Sequence, residues 1–451
     1  MPSINLPVHS YNQPSRAPAR LVNCYPQQTV GKGVVELLGA PGVAPFATPG
    51  SGPGRGLFVM RGTLYAASGN GFYRISDTGA STYLGVLPGS SKLMFAGNGS
   101  DIVFSNRYRF SGGTVSLVND GDLPSLSAVD YVDGYVVWAE SGTQRWGCSG
   151  LYDAGNYAPL DFASAEGYPD DIVTLKVDHR QVVLFGQQST EIWWNSGNAG
   201  AGFPFERLQG GVLEYGCLAQ HGVVKQDNSL FWPAHDRTAR RLQGTTPVRV
   251  SQHGVEEKWS SYARMDDCEA FPWTWNGHLF VCFRFPTAGA TWVYDVTTNE
   301  WHERSTYGSS TWNVVDAAEC YGKVFVQSAS TGAVGYLSDS VYTEFGGTLR
   351  REWTYPAVYQ DNADLFHAQL EVVAKTGDAP IGVVPQIQLE ISDDGGNTWR
   401  AMPARELGRT GKYKHNVRWN RLGVARDRVY RCSVDNAAVP VRITGTTLQV
   451  E

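Results

Sequence analysis

Long hydrophobic runs are missing from this 451-residue chain. No stretch of about 18 apolar residues occurs, so no membrane-spanning helix is expected. The opening segment, MPSINLPVHSYNQPSRAPARL, has none of the apolar core that a signal peptide needs, and none is expected. Paired cysteines are also missing. Cys24, Cys148, Cys217, Cys268, Cys282, Cys320 and Cys432 are scattered and form no CxxC. A zinc site usually pairs its ligands closely, and a disulfide scaffold is short and cysteine-dense. The seven are therefore expected to be buried free thiols in a protein made in a reducing cytoplasm. Charge is sparse, at 18% Asp, Glu, Lys and Arg, and the net charge is -6. That balance argues against a dedicated nucleic-acid reader, whose footprint is basic.

Signatures of catalysis are scarce as well. There is no GxSxG, HExxH or GxxxxGK[ST], and the nine histidines lie far apart. Asp170-Asp171 and Asp266-Asp267 are neighbours, and neighbouring strand residues point to opposite faces. They read as solvated turn residues. The Gly-rich Leu208 to Gly216 has no following helix to make a phosphate cradle. Neither catalytic residues nor metal ligands nor a cofactor are assigned, and the chain is not expected to be an enzyme. Helical periodicity is almost absent.

Glycine and aromatic residues are abundant. Gly is 51 of 451 and aromatics are 12%, a combination that points to many short strands joined by tight turns. A weak unit recurs, with a Gly, Asp, Asn or Ser turn, an apolar run, a polar turn and a second alternating run. Its copies begin at Gly62, Ser100, Asp133, Asp178, Asp227, Asn276 and Tyr321. Four-stranded units at about 40–50 residues are the mark of propeller blades. The chain is therefore read as all-β, a β-propeller of six to seven blades, with a pair of β-sandwiches as the runner-up. Residues 1–54 read as an extended Pro/Gly-rich N-terminal arm. The propeller is expected over 55–346, and a C-terminal β-sandwich-like unit over 347–451.

Two features of the C-terminal unit stand out. Ser392, Asp394, Gly396, Thr398 and Trp399 fit S-x-D-x-G-x-T-W, an Asp-box turn of a kind found in sialidases. Asp394 can accept backbone N–H bonds across the turn, Gly396 can supply positive φ, and Trp399 can pack behind the hairpin. A single box reads as a structural hairpin, with a glycan-binding or sialidase-like propeller kept as the alternative. The second feature is a basic run. Between Ala401 and Cys432 nine Lys and Arg face two acids, a local +7 that leaves -13 for the rest of the chain. Arg405, Arg409, Lys412, Lys414, Arg418 and Arg421, with Arg237, Arg240 and Arg241 at a hairpin tip, are candidate contacts for DNA or an acidic partner. The plainer reading is a solvated strand face.

Colinear segments carry a family resemblance. Ala19-Arg20-Leu21-Val22-Asn23-Cys24-Tyr25-Pro26 resembles an early VN-x-x-P segment, and Leu38-Gly39-Ala40-Pro41-Gly42-Val43 a PG[IV] turn. Tyr168 to Ile172, Phe185-Gly186 and Thr190 to Trp193 resemble one blade. Ser392, Asp394 and Gly396, then Arg418 to Gly423, resemble a C-terminal turn and strand. The family is the packaged-DNA stabilisation protein, or tail nozzle (hub), of short-tailed bacteriophages. The resemblance implies a virion protein in a hexameric ring below the portal and its adaptor. A plug or needle would close its channel, and tailspikes or fibres would attach at its side. DNA would make only transient, sequence-independent contact. The family brings no catalytic residues, and the blade loops and middle hairpins depart from its pattern.

Overall fold

Among the adjacent residues that adopt positive φ in the computed structural model, six pairs recur at equivalent turns. They are Arg61-Gly62, Asp133-Gly134, His179-Arg180, Asp227-Asn228, Asn276-Gly277 and Tyr321-Gly322. The structure describes residues 4–11, 19–28, 35–197, 202–361, 363–435 and 439–451. Two consecutive positive φ values make the type I′ turn, whose twist matches that of the strands it joins. Each pair links the first and second strands of one four-stranded antiparallel sheet. The turn residues are thus the repeat that the sequence displays.

Seven such sheets form the blades of a propeller. Blade 1 runs from Gly54–Met60 to Ser81–Val86, blade 2 from Phe95–Gly97 to Thr114–Leu117, and blade 3 from Leu126–Val132 to Phe162–Ser164. Blade 4 runs from Ile172–Asp178 to Phe205–Leu213, blade 5 from Val224–Gln226 to Thr246–Arg249, and blade 6 from Glu269–Trp275 to Glu300–Glu303. Blade 7 takes three strands from Val314–Ser338 and its outer strand, Gly42–Ala47, from the N-terminal region. Among the described residues one short helix, His253–Ser260, fills the gap between blades 5 and 6 and buries Val255 and Trp259.

The first strands lie side by side around the axis, and polar side chains tie them together. Asp316 Oδ2 of blade 7 accepts the Leu57 N–H of blade 1 at 2.9 Å. Asp130 Oδ2 of blade 3 accepts the Val177 N–H of blade 4 at 2.9 Å. Gln327 of blade 7 accepts from Gly56 N and donates to Ala67 O, both at 2.9 Å. Between the blades lie apolar clusters such as Phe231, Phe283, Trp259 and Trp301.

The C-terminal strands form a sandwich. In one sheet the order is Cys24–Gln28, Val35–Gly39, Arg442–Val450, Leu365–Ala374 and Val417–Ala425. The other runs through Arg20–Val22, Arg350–Thr354, Asp427–Asp435, Gln386–Ser392 and Arg400–Ala401. The alternation QIQLEIS explains the burial of Ile387, Leu389 and Ile391, which meet Leu370, Trp419 and Ile443 across the core. Arg20–Val22 also pairs parallel with blade 6 at Val22↔Glu303, so one sheet runs unbroken from propeller to sandwich.

The N-terminal expectation needs correction. The segment read as an extended arm supplies strands to three sheets of its own chain: Arg20–Val22, the Cys24–Gly39 hairpin and Gly42–Ala47. Its Pro and Gly residues punctuate short strands whose apolar residues, Leu21, Leu37 and Val43, have intramolecular cores to fill. Arm residues 1–3, 12–18 and 29–34 lie outside the described residues. All seven cysteines are free and buried. Among the described residues no helix is long and apolar enough to cross a membrane.

Candidate functional site

A propeller concentrates its accessible interior on the axis, where the first strands converge. Here that space is a cavity of about 440 Å³. Every blade contributes to it, through Leu57, Phe95, Asp130, Lys176, Val224, Phe271 and Asp316. Several of its polar groups are paired, whereas the buried Nδ1 of His221 has no hydrogen-bond partner among the described residues. Lys176 Nζ lies 3.0 Å from Asp130 Oδ2, and the Asp316 carboxylate accepts two backbone N–H bonds. Burial raises the Asp316 pKa, and Lys92 opposes that rise.

Lys92 closes the axis. It sits just before the first strand of blade 2 and reaches blades 7 and 6, donating to Val315 O at 2.7 Å and Ala270 O at 3.4 Å. Gln220, before blade 5, donates to Ser127 O of blade 3. Both side chains span the mouth at the leading ends of the first strands. His221 lies beside them, and burial together with Lys92 holds its pKa down at about 3. A passage spanned by a lysine and a glutamine does not admit a nucleic-acid strand. The sequence offered a signal in the lone Lys92 within SKLMFAG, but periodicity reads only the strand around it.

The Asp-box residues do come together. Asp394 Oδ1 accepts the Asn397 and Thr398 N–H groups at 3.0 and 2.8 Å, and Thr398 Oγ1 donates to Oδ2 at 2.6 Å. Ser392 Oγ donates to Asp394 Oδ1 and accepts the Gly396 N–H. Gly395 and Gly396 have φ of 72° and 91°. Trp399 donates to Gly396 O at 3.0 Å, and the Arg431 guanidinium stacks 4.0 Å from its ring centre. The turn is closed on itself, with its donors and acceptors used internally.

The basic run is less basic in space than in sequence. Arg409 pairs with Glu406, Arg418 with Glu371, Arg426 with Asp364, Arg428 with Asp393 and Arg431 with Glu390. Four of these five acids come from strands or loops far away in sequence, so a local count misses them. Lys412 lies 3.9 Å from Glu406. Arg405, Lys414 and Arg421 are exposed and carry no ion pair among the described residues.

The hairpin-tip arginines are held within the chain. Arg237 Nη1 donates to the carbonyls of Trp259, Ser260 and Tyr262 at 2.9–3.1 Å, closing the C-terminal end of the helix. Arg240 is buried, paired with Asp236 and packed on the Tyr215 ring. Arg241 pairs with Asp227. All three are thus engaged within the chain. Asp170 departs from expectation. It is buried and accepts bonds from Gln188 N, Ser189 N and Ser189 Oγ, pinning the turn between two strands of blade 4. Among the described residues no group of three or more His, Cys, Asp or Glu side chains is arranged to hold a metal ion.

Comparison with known proteins gives these features a context. Residues 15–342 match the family model described as bacteriophage P22 Gp10, beta-propeller. Residues 350–451 match the model described as bacteriophage P22 Gp10, beta-sandwich. No curated protein matches the chain. Among solved structures, the computationally designed Ika8 protein is 12% identical with a TM-score of 0.42, over 65% of this chain and 99% of that one. The extracellular domain of the putative one-component system BT4673 from B. thetaiotaomicron is 9% identical with a TM-score of 0.44, over 88% of this chain and 59% of that one. BamB from Moraxella catarrhalis is 11% identical with a TM-score of 0.38, over 68% and 97%. The chain belongs to the P22 Gp10 family, a structural, DNA-stabilising protein of the phage tail.

Proposed function

We propose that copies of this P22 Gp10-family chain form a hexameric ring, the tail nozzle, below the portal and its adaptor. The ring retains packaged DNA before infection and is the conduit for ejection. A plug or needle closes it, and tailspikes or fibres attach to its outer side. The observation that carries this reading is the closed axis. Lys92 and Gln220 span the propeller mouth, so a DNA passage has to lie between copies rather than through one. A ring also needs rigid subunits. The continuous sheet from blade 6 into the sandwich supports that requirement. The net charge of -6 suits a wall along which DNA slides, because affinity rises with each phosphate neutralised.

The test is assembly. Purified chain, alone and with a portal–adaptor complex, is weighed by native mass measurement and imaged by electron microscopy. Six-fold rings are expected. A particle that stays monomeric in both settings overturns the reading.

A further inference from the structure

Two unsatisfied surfaces of opposite charge lie at opposite ends of the molecule. The first is the outer rim of blades 3 and 4. Its exposed apolar side chains include Leu160 and Trp194, with Leu160 77% accessible. Along the same rim the exposed acids Glu166, Glu206 and Glu214 carry no ion pair among the described residues. The loop between the two blades lies on the outer strand of blade 4, where a Cβ on Gly167 would stand 2.9 Å from Val212. Loop and strand therefore form one continuous surface.

The second surface is the far edge of the sandwich. Arg400–Ala401 and Val417–Ala425 are the terminal strands of their sheets. Four strand spacings, about 19 Å, separate Val417–Ala425 from Cys24–Gln28, the strand of its sheet that packs on the propeller. This edge bears Arg400, Arg405, Lys414 and Arg421, all exposed and without an ion pair among the described residues, beside exposed Val424 and Tyr413. Exposed Asp427 lies in its neighbourhood, as do exposed Asp364 and Asp393, which pair with Arg426 and Arg428.

Their placement is what makes the two surfaces a pair. The sandwich is fixed to blade 6 through Val22↔Glu303. It is fixed to blade 7 through Arg351, which donates to the Ala40 carbonyl just ahead of that blade's outer strand. In a seven-bladed ring the position facing the seam of blades 6 and 7 is blade 3. An acidic, aromatic rim thus stands diametrically across from a basic, apolar edge. A surface that meets a different surface on the next copy is a heterologous contact, which closes into a ring when the rotation allows. A patch with aromatic anchors and complementary charge is the anatomy expected of such a contact.

We infer that the basic edge of the sandwich docks on the acidic rim of blades 3 and 4 of a second copy of this chain, head to tail. The inference rests on the ring reading above and names its interface. The occupant is the neighbouring copy rather than DNA, because the basic edge has only four unpaired cations, interleaved with apolar side chains, and an opposite surface of matching character exists on the same molecule.

Charge exchange tests it. The rim variant Glu206→Lys/Glu214→Lys and the edge variant Arg405→Glu/Arg421→Glu alter exposed positions, and melting temperature checks that each folds. Each variant alone is expected to shift the concentration for half-assembly at least about tenfold upward, through like-charge contact. An equimolar mixture is expected to assemble again. In it the basic rim of one variant meets the acidic edge of the other, and the closed particles hold even numbers of chains. The chain carrying all four substitutions is expected to self-assemble as the unaltered one does. If the unaltered chain forms rings and the single-surface variants do too, the interface assignment is overturned and the ring reading stands. If the unaltered chain never assembles, alone or with portal and adaptor, both fall. If the edge variant loses binding to a DNA duplex while rings persist, the edge belongs to DNA and the inference is overturned.

Discussion

Arg20 grips Glu303 with two parallel bonds, Nε to Oε1 at 2.9 Å and Nη2 to Oε2 at 2.8 Å, where the strand leading into the sandwich lies parallel to the last strand of blade 6. Glu303 raises the Arg20 pKa above its ordinary value, against the effect of burial. The fork lies at the parallel pairing between propeller and sandwich. Arg20→Met keeps the stem and removes the fork. With Arg20 about a third accessible, screening limits the cost to about 1–2 kcal/mol. Thermal unfolding is expected to show that loss, and hydrogen exchange is expected to rise at residues 20–22 and 350–354. Unchanged exchange there would mean that the pair is ornamental.

Three histidines give the chain an acid limit. Burial, first among the causes, holds His302 and His221 at about 3 and His367 at about 4. An unfolded histidine titrates near 6.5. The unfolded chain therefore binds protons that the native chain refuses, and stability rises with pH between those values. The support is complete above about pH 6.5 and is lost as pH falls toward 4 and then 3, at up to about 1.4 kcal/mol per pH unit for each histidine. Melting temperature is expected to drop steeply across that window. His302→Phe, which suits a site against Phe280 and Tyr25, is expected to flatten the slope. A slope unaltered in the variant would show that His302 titrates normally.

What the sequence displayed and what it hid divide along physical lines. The seven hairpins were legible because their turns need residues tolerant of positive φ, such as Asn276-Gly277 and Asp133-Gly134, and because alternation marks the strands beside them. The Asp394 turn was legible for the same reason: its bonds span only a few residues. The strands of the N-terminal region were not. Arg20–Val22 is three residues long and takes its partners from residues about 280 and 330 positions away, where no local pattern reaches. The charge of the basic run misled for a related reason, since Glu371 and Asp364 neutralise Arg418 and Arg426 from positions far away in sequence. The axial Lys92 gave no periodic signal at all.

Lys92 joins blade 2 to blades 6 and 7 by its bonds to the Ala270 and Val315 carbonyls. Lys92→Met keeps the stem but leaves the Val315 and Ala270 carbonyls without their donor, a loss of about 1.5–3 kcal/mol for bonds from a charged group. The charge has a second effect that a packing change does not produce. Lys92 opposes protonation of both His221 and Asp316, so both are expected to titrate at higher pH in the variant. NMR titration of the two side chains reads this directly. Unshifted titrations would place the ammonium elsewhere than across the axis.

Asp394 ties the turn of the sandwich by charge. The Thr398 hydroxyl, then the Thr398 N–H, the Ser392 hydroxyl and the Asn397 N–H hold its pKa down at about 2. Such bonds favour the ionised form, so the native carboxyl gives up its proton more readily than the unfolded one, which titrates near 3.9. The sign follows for a depressed acid. The support is complete above about pH 4 and is lost as pH falls through about 2. A carboxyl-carbon NMR titration is expected to show an Asp394 midpoint near 2. Exchange of the Asn397 and Thr398 amides is expected to accelerate, relative to the neighbouring strands, only below that midpoint. Asp394→Asn keeps the shape but turns one acceptor oxygen into a donor facing the Thr398 hydroxyl, so it is expected to loosen those amides already at neutral pH. If the midpoint lies near 4 and the Asn variant protects the amides as before, the turn is held by its glycine geometry and the Trp399–Arg431 stack instead of by the carboxylate.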